Sequence, residues 1–135
     1  MTDILAKDSI QNLYQENRRD YDSRRINCDG ETVCISKEPV YLNSVSFSLT
    51  LFYNLDGLER AALVAENRQS DDRYRGLKPG HIHDMWLADL YGDPDSRTLF
   101  GIEYTRAGFE VYSEHDDENG NDVILIKYHP SDDRS

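Results

Sequence analysis

The stretch 45–53 restricts the fold more than any other part of this 135-residue chain. Its odd-numbered positions are all apolar, and the positions between them are mostly serine or threonine. The apolar positions are Val45, Phe47, Leu49, Leu51 and Tyr53. Because successive side chains of a strand point to opposite faces, this alternation predicts a long strand in a sheet with one buried face.

Residues 57–68, which follow this strand, have two interpretations. Asp56-Gly57 is typical of a tight turn, and a hairpin closed by it would pair Leu51 with Ala62 on the apolar face. The same aspartate is also a good N-cap, which would make the segment an alanine-rich helix. We favour the hairpin and leave the helix as the alternative.

Patterns in the rest of the chain predict two helices and several further strands. Apolar residues at helical spacing predict helices over 4–25 and 81–91, the second one ended by Gly92. Shorter alternating runs predict the remaining strands, at 32–36, 98–104, 109–114 and 123–128. The expected fold is α+β, with an N-terminal helix, an antiparallel sheet of about five or six strands, and one helix inserted before a C-terminal β-meander. We expect one domain over 1–135, with 1–3 and 130–135 frayed.

Composition predicts a cytoplasmic protein. No apolar run is long enough to cross a bilayer, and the N-terminus lacks the basic and apolar regions of a signal peptide. Cys28 and Cys34 lie close enough in sequence for a small hairpin to bring them together. A reducing compartment favours two structural thiols, and their pairing as a disulfide stays open.

The charge predicts which partners the chain attracts. Asp and Glu number 26 against 15 Lys and Arg, and the formal net charge is −11. Such a surface repels nucleic acid and anionic membranes and attracts basic proteins. The sequence contains no phosphate-binding loop, dinucleotide fingerprint or serine-nucleophile elbow, so we expect no cofactor.

These observations favour a non-enzymatic acidic protein that neutralises a basic partner. A nuclease toxin or a nucleic-acid-binding defence protein would suit it, as in immunity proteins and phage anti-defence inhibitors, with the acidic surface imitating nucleic acid. Carboxylates beside aromatic rings are suited to such a partner, because the charges steer the encounter and the rings anchor it. The predicted contact residues are Asp71, Asp72, Tyr74, Asp93, Asp95, Asp116, Asp117 and Glu118.

The alternative function is metal binding or a small metal-dependent enzyme. His81 and His83 form an H-x-H pair, which points both imidazoles the same way on an extended segment, and His115 is a candidate third ligand. A helix beginning at His81 disfavours this site, because residues two apart on a helix do not face each other. Glu103, between two apolar residues, is the one carboxyl that we consider as a general acid, and we interpret it as a solvent-facing strand residue.

Overall fold

The computed structural model describes residues 3–16, 21–25, 32–36, 38–55, 57–115 and 121–129. They form two helices, α1 (Lys7–Glu16) and α2 (Pro79–Tyr91). The strands are β1 (Tyr21–Arg25), β2 (Thr32–Ser36), β3 (Val40–Leu42), β4 (Val45–Asn54), β5 (Gly57–Ala65), β6 (Ser96–Thr98), β7 (Gly101–Arg106), β8 (Phe109–Glu114) and β9 (Val123–Tyr128). The predicted α+β class is therefore confirmed, including the helix before a C-terminal meander.

All strands of the described part join one antiparallel sheet. Its order is β1-β2-β4-β5-β9-β8-β7-β6, and β3 pairs with β4 beside this path. The sheet has nine strands rather than five or six because β1 and two three-residue strands, β3 and β6, were not predicted. Every pairing links neighbours in sequence except β2 with β4 and β5 with β9, and the latter joins Leu63 to Ile124.

The N-terminal helix is shorter than predicted. It ends at Glu16, and residues 21–25 form β1, which pairs along its whole length with β2. The helical spacing of Tyr21 with earlier apolar residues was therefore misleading, since pairing with a neighbouring strand overrode it. Asp3 accepts hydrogen bonds from the backbone N–H of Leu5 and the hydroxyl of Tyr91, at 3.0 and 2.6 Å. The fraying predicted for 1–3 and 130–135 falls mostly on residues outside the described ranges and stays a prediction.

The hairpin interpretation of residues 57–65 is confirmed, but the predicted register is wrong. Leu51 pairs with Ala61 rather than Ala62, and the last pair of the ladder is Asn54 with Gly57. A bulge between Phe52 and Tyr53 shifts the register. Since one residue of slip exchanges the two faces of a strand, the core receives Ala61, Leu63 and Ala65.

One face of the sheet carries the core. Helix α2 packs on β5, β8 and β9, and its Trp86 is fully buried with its ring 4.8 Å from Phe47. The indole nitrogen donates to the carbonyls of Leu42 and Asn43, which fixes the β3–β4 turn. Leu5 and Ile10 near the N-terminus join the same core. No helix of the described residues is long and apolar enough to cross a membrane.

The opposite face of the sheet is only half-buried. Its central positions are a mixture of apolar and small polar side chains on β4, β5, β8 and β9, each of intermediate exposure. These include Thr50, Phe52, Ala62, Val64, Tyr112 and Leu125. We call it the outer face.

Candidate functional site

The turn that follows β5 contains three of the predicted contact residues, and its acids are engaged with the same segment. The Asp71 carboxylate accepts the backbone N–H of Arg73 at 2.9 Å, and Asp72 pairs with Arg75 at 2.7 Å. Asp72 is exposed and Asp71 is half-buried. Both acids therefore shape their own turn, and exposed ion pairs of this kind contribute at most about 1 kcal/mol.

Tyr74, which we predicted as a partner contact, is buried. Only 2% of the residue is exposed, and its hydroxyl donates to Asp89 of α2 at 3.1 Å. Burial, and next this hydrogen bond, raise the pKa of Tyr74 above its usual value. The ring is a core contact that seats the turn against α2, and Arg73 pairs with the same aspartate.

The remaining predicted acids divide into described and undescribed residues. Asp93 and Asp95 are both exposed, beyond the end of α2. Asp95 accepts the backbone N–H of Thr105 at 2.7 Å and lies 3.4 Å from the Arg106 guanidinium, so it fastens β6 to β7. The predicted contacts Asp116, Asp117 and Glu118 lie outside the described residues.

The histidines proposed as metal ligands do not converge. His81 is exposed, whereas His83 is fully buried and its Nε2 accepts the backbone N–H of Ala65 at 2.9 Å. That bond leaves the proton of the neutral ring on Nδ1, which has no hydrogen-bond partner within the described ranges. Among those residues, no group of three His, Cys, Asp or Glu side chains is placed to hold a metal ion.

His115 instead joins two carboxylates from different parts of the chain. Its Nε2 lies 3.1 Å from Asp84 of α2, and its Nδ1 lies 3.2 Å from Asp122 ahead of β9. Ser113 donates to Asp84 at 2.6 Å, so its hydroxyl faces a carboxylate rather than an imidazole base. Gly80 makes room for the cluster, because a Cβ there would lie 2.7 Å from Asp122. The cluster locks the start of α2 to the ends of β8 and β9, and does not resemble a nucleophile–base pair.

A cleft on the outer face, beside the β6–β7 turn, is the site that sequence reasoning missed. It encloses about 230 Å³ and is lined by residues of 98–103 and 112–114. Phe100 and Tyr112 supply aromatic surface, while Glu103 and Glu114 supply carboxylates. Next to it, Leu99 is 97% exposed and Phe100 is 72% exposed. Large apolar side chains this exposed, beside a concave surface, are typical of interaction sites.

Backbone hydrogen bonds hold the exposed Phe100 in place. Its N–H donates to the Thr98 hydroxyl at 3.1 Å, and its carbonyl accepts the N–H of His115 at 2.7 Å. Gly101 follows with a φ of 152°, and a Cβ there would lie 1.8 Å from the Ser113 carbonyl oxygen. Only glycine fits this position, so the side of the cleft between Phe100 and Glu114 is bare backbone.

Carboxylates surround the Tyr112 side of the cleft. The hydroxyl of Tyr112 donates to Glu110 at 2.7 Å, and this bond, with burial and the charges of Glu110, Glu103 and Glu114, raises the pKa of Tyr112 to about 12. In the described ranges, no Lys, Arg or His side chain forms an ion pair with Glu103 or Glu114. These two carboxylates therefore differ from Asp72 and Asp95, which arginines of the chain already neutralise.

The sequence contained one sign of the exposed turn beside this cleft, but the prediction of a continuous strand over 98–104 hid it. A continuous strand over 98–104 would place Leu99 and Phe100 on opposite faces of a sheet. The structure makes them the tip of a turn, with β6 ending at Thr98 and β7 beginning at Gly101. An apolar dipeptide directly before a glycine was the available sign of an exposed turn.

Comparisons with protein-family models, with curated proteins and with solved structures gave no significant match. The functional interpretation therefore rests on the geometry and charge of the chain itself.

Proposed function

We propose that the protein is a non-enzymatic binding protein that neutralises a basic partner, such as a nuclease toxin or a nucleic-acid-binding defence protein. The observation that carries this proposal is the outer-face cleft, where two carboxylates without a described cation lie beside the exposed Leu99 and Phe100. A net charge of −11 adds long-range attraction for a cationic partner. Together they combine electrostatic steering with an apolar anchor.

Two of the acids that we predicted as contacts, Asp72 and Asp95, have different surroundings from Glu103 and Glu114. Asp72 and Asp95 each lie within ion-pair distance of an arginine of the same chain. A partner would have to displace those arginines, whereas Glu103 and Glu114 need no such exchange. The interaction surface is therefore centred on β7 and β8 rather than on the turn at 71–75.

The test begins by capturing partners from a native lysate and measuring the binding of the purified partner. We expect a basic protein whose binding weakens as salt rises and which nucleic acid displaces. Replacing Leu99 by Ser should weaken binding about tenfold, as loss of an interface anchor does. Leu55→Ser is the matched control, because Leu55 is 95% exposed at the tip of the β4–β5 hairpin.

An acidic or neutral partner, or one that binds nucleic acid and this protein at the same time, would refute the proposal. Equal losses for the two leucine variants would move the interaction surface away from the cleft. Because both leucines are almost fully exposed, neither substitution should disturb folding, and thermal unfolding of both variants checks this.

A further inference from the structure

The cleft has the size of a site for one side chain. Its volume of about 230 Å³ is smaller than the roughly 300–1,000 Å³ of pockets that enclose drug-sized ligands. It lies on an outer face that carries no described helix, and all its lining residues belong to β6, β7, β8 and the turn between the first two. An extended group that protrudes from a partner can therefore enter it without rearrangement of the core.

The register of β7 and β8 places Glu103 and Glu114 diagonally across the strand pair. Glu103 lies directly opposite Tyr112, and Glu114 lies directly opposite Gly101. The two acids are thus diagonal neighbours, whose backbones are about 7–8 Å apart in such a pair. A cationic group with several N–H donors can contact both carboxylates from between them.

Cations already lie over several aromatic rings of this protein, including one ring of the cleft. Lys127 of β9 already lies 5.1 Å from the centre of the Tyr112 ring. Since no residue of β9 lines the cleft, a group in the cleft would approach this ring from the side of β7. Elsewhere the protein places its own guanidiniums over rings, with Arg60 4.2 Å from the Phe52 centroid and Arg106 4.3 Å from that of Tyr91.

We propose that the cleft is a socket for one arginine side chain of the basic partner. The guanidinium lies against Tyr112 and Phe100 and donates to Glu103 and Glu114. Arginine suits the site better than lysine because its planar fork stacks on rings and bonds to two carboxylates at once. The inference rests on the proposed function, since it names the group by which the partner is recognised.

The test uses three small probes on ¹⁵N-labelled full-length protein, observed by NMR titration. N-acetyl-arginine amide should shift the backbone amides of Gly101, Glu103 and Glu114 saturably, with a dissociation constant in the millimolar range. N-acetyl-lysine amide should bind several-fold more weakly. N-acetyl-citrulline amide, which has almost the shape of arginine but no charge, should cause no saturable shift.

Substitutions locate the effect within the cleft. Glu103→Gln and Glu114→Gln should each weaken binding of the arginine probe by about two- to fivefold, the range expected for one exposed ion pair. Glu38→Gln is the matched control, because it removes the same charge from an exposed position. Glu38 precedes β3, which pairs with β4 in the other half of the sheet from β7. Well-dispersed spectra of all three variants establish that they fold.

Different results would contradict the arginine socket, its preference for a guanidinium, or the proposed function. Equal binding of the arginine and citrulline probes, or equal losses for Glu38→Gln and Glu103→Gln, would overturn the socket. Stronger binding of the lysine probe would overturn the preference for a guanidinium. If the captured basic partner binds wild type and both cleft variants equally, the socket is wrong while the proposed function stands. If the arginine probe fills the cleft and no basic protein is captured, the proposed function is wrong.

Discussion

Lowering the pH should destabilise this protein through His83, and the structure gives the size of the effect. The imidazole is fully buried, and burial, opposed by the charges of Asp122 and Asp84, lowers its pKa from 6.5 to about 4. The folded state therefore holds His83 neutral, while the unfolded chain takes up a proton as the pH falls below about 6.5. Stability from this residue is fully present above pH 6.5 and is lost progressively down to about pH 4.

The expected loss is large for a single side chain. One pKa unit corresponds to about 1.4 kcal/mol, so the full change amounts to about 3 kcal/mol, most of it between pH 6.5 and 4.5. The structure explains why the ring resists protonation. A proton on Nε2 would break the hydrogen bond from the backbone of Ala65 and leave two donors facing each other in the core.

The measurement is urea unfolding at pH 7.5 and pH 4.5, followed by the fluorescence of Trp86, which is the single tryptophan and is buried. Other carboxyls titrate in this window too, so the comparison is with His83→Gln, whose amide oxygen can accept the same backbone N–H. The wild type should lose about 2 to 3 kcal/mol more than the variant between the two pH values. If the stability difference between the two proteins is the same at both pH values, His83 does not titrate as the structure implies.

Two further predictions concern the cleft and the acids at 116–118. Gly101→Ala should lower the free energy of unfolding in urea by at least about 2 kcal/mol, because the new Cβ would overlap a backbone oxygen. The control is Gly108→Ala, which should cost only about 1–2 kcal/mol because Gly108 has a φ of 91° and open space around it. Equal losses for the two variants would contradict the close contact at Gly101. Neutralising the acids at 116–118 by Asn and Gln should slow association with the basic partner and reduce its salt dependence, as stopped-flow mixing at two ionic strengths would measure. Unchanged rates would exclude steering by these residues. The residues replaced are Asp116, Asp117 and Glu118.

The sequence predicted those elements whose signal is local. The alternation through β4 and the glycine after α2 identified both elements, because period and capping are properties of neighbouring residues. The β4–β5 register was wrong because Gly57 pairs with Asn54 instead of lying in the turn, and because the bulge at Phe52 depends on both strands. Strand β1 was missed because its pairing with β2, rather than its own composition, makes it a strand.

The predicted contacts and the cleft share a chemistry, carboxylates beside aromatic rings, but not a location. Composition indicated an acidic surface with aromatic rings, but abundance of carboxylates made each of them equally plausible. What distinguishes Glu103 from Asp72 is the absence of an arginine partner in the described part, and ion pairing of surface charges depends on tertiary placement. Likewise, Tyr74 and Tyr112 are both tyrosines beside acids, and only the packing shows that the first is buried.

The single long-range pairing of the two halves of the sheet has a consequence for the cleft. Strands β5 and β9 meet across about sixty residues of chain, and α2 contacts both of them, so the helix packs over this junction. The cleft, by contrast, is assembled from residues 98–114, whose contacts close short loops at little entropic cost. The lining of the cleft therefore comes from residues that are close in sequence, while β9 and α2 support β8 from outside that segment.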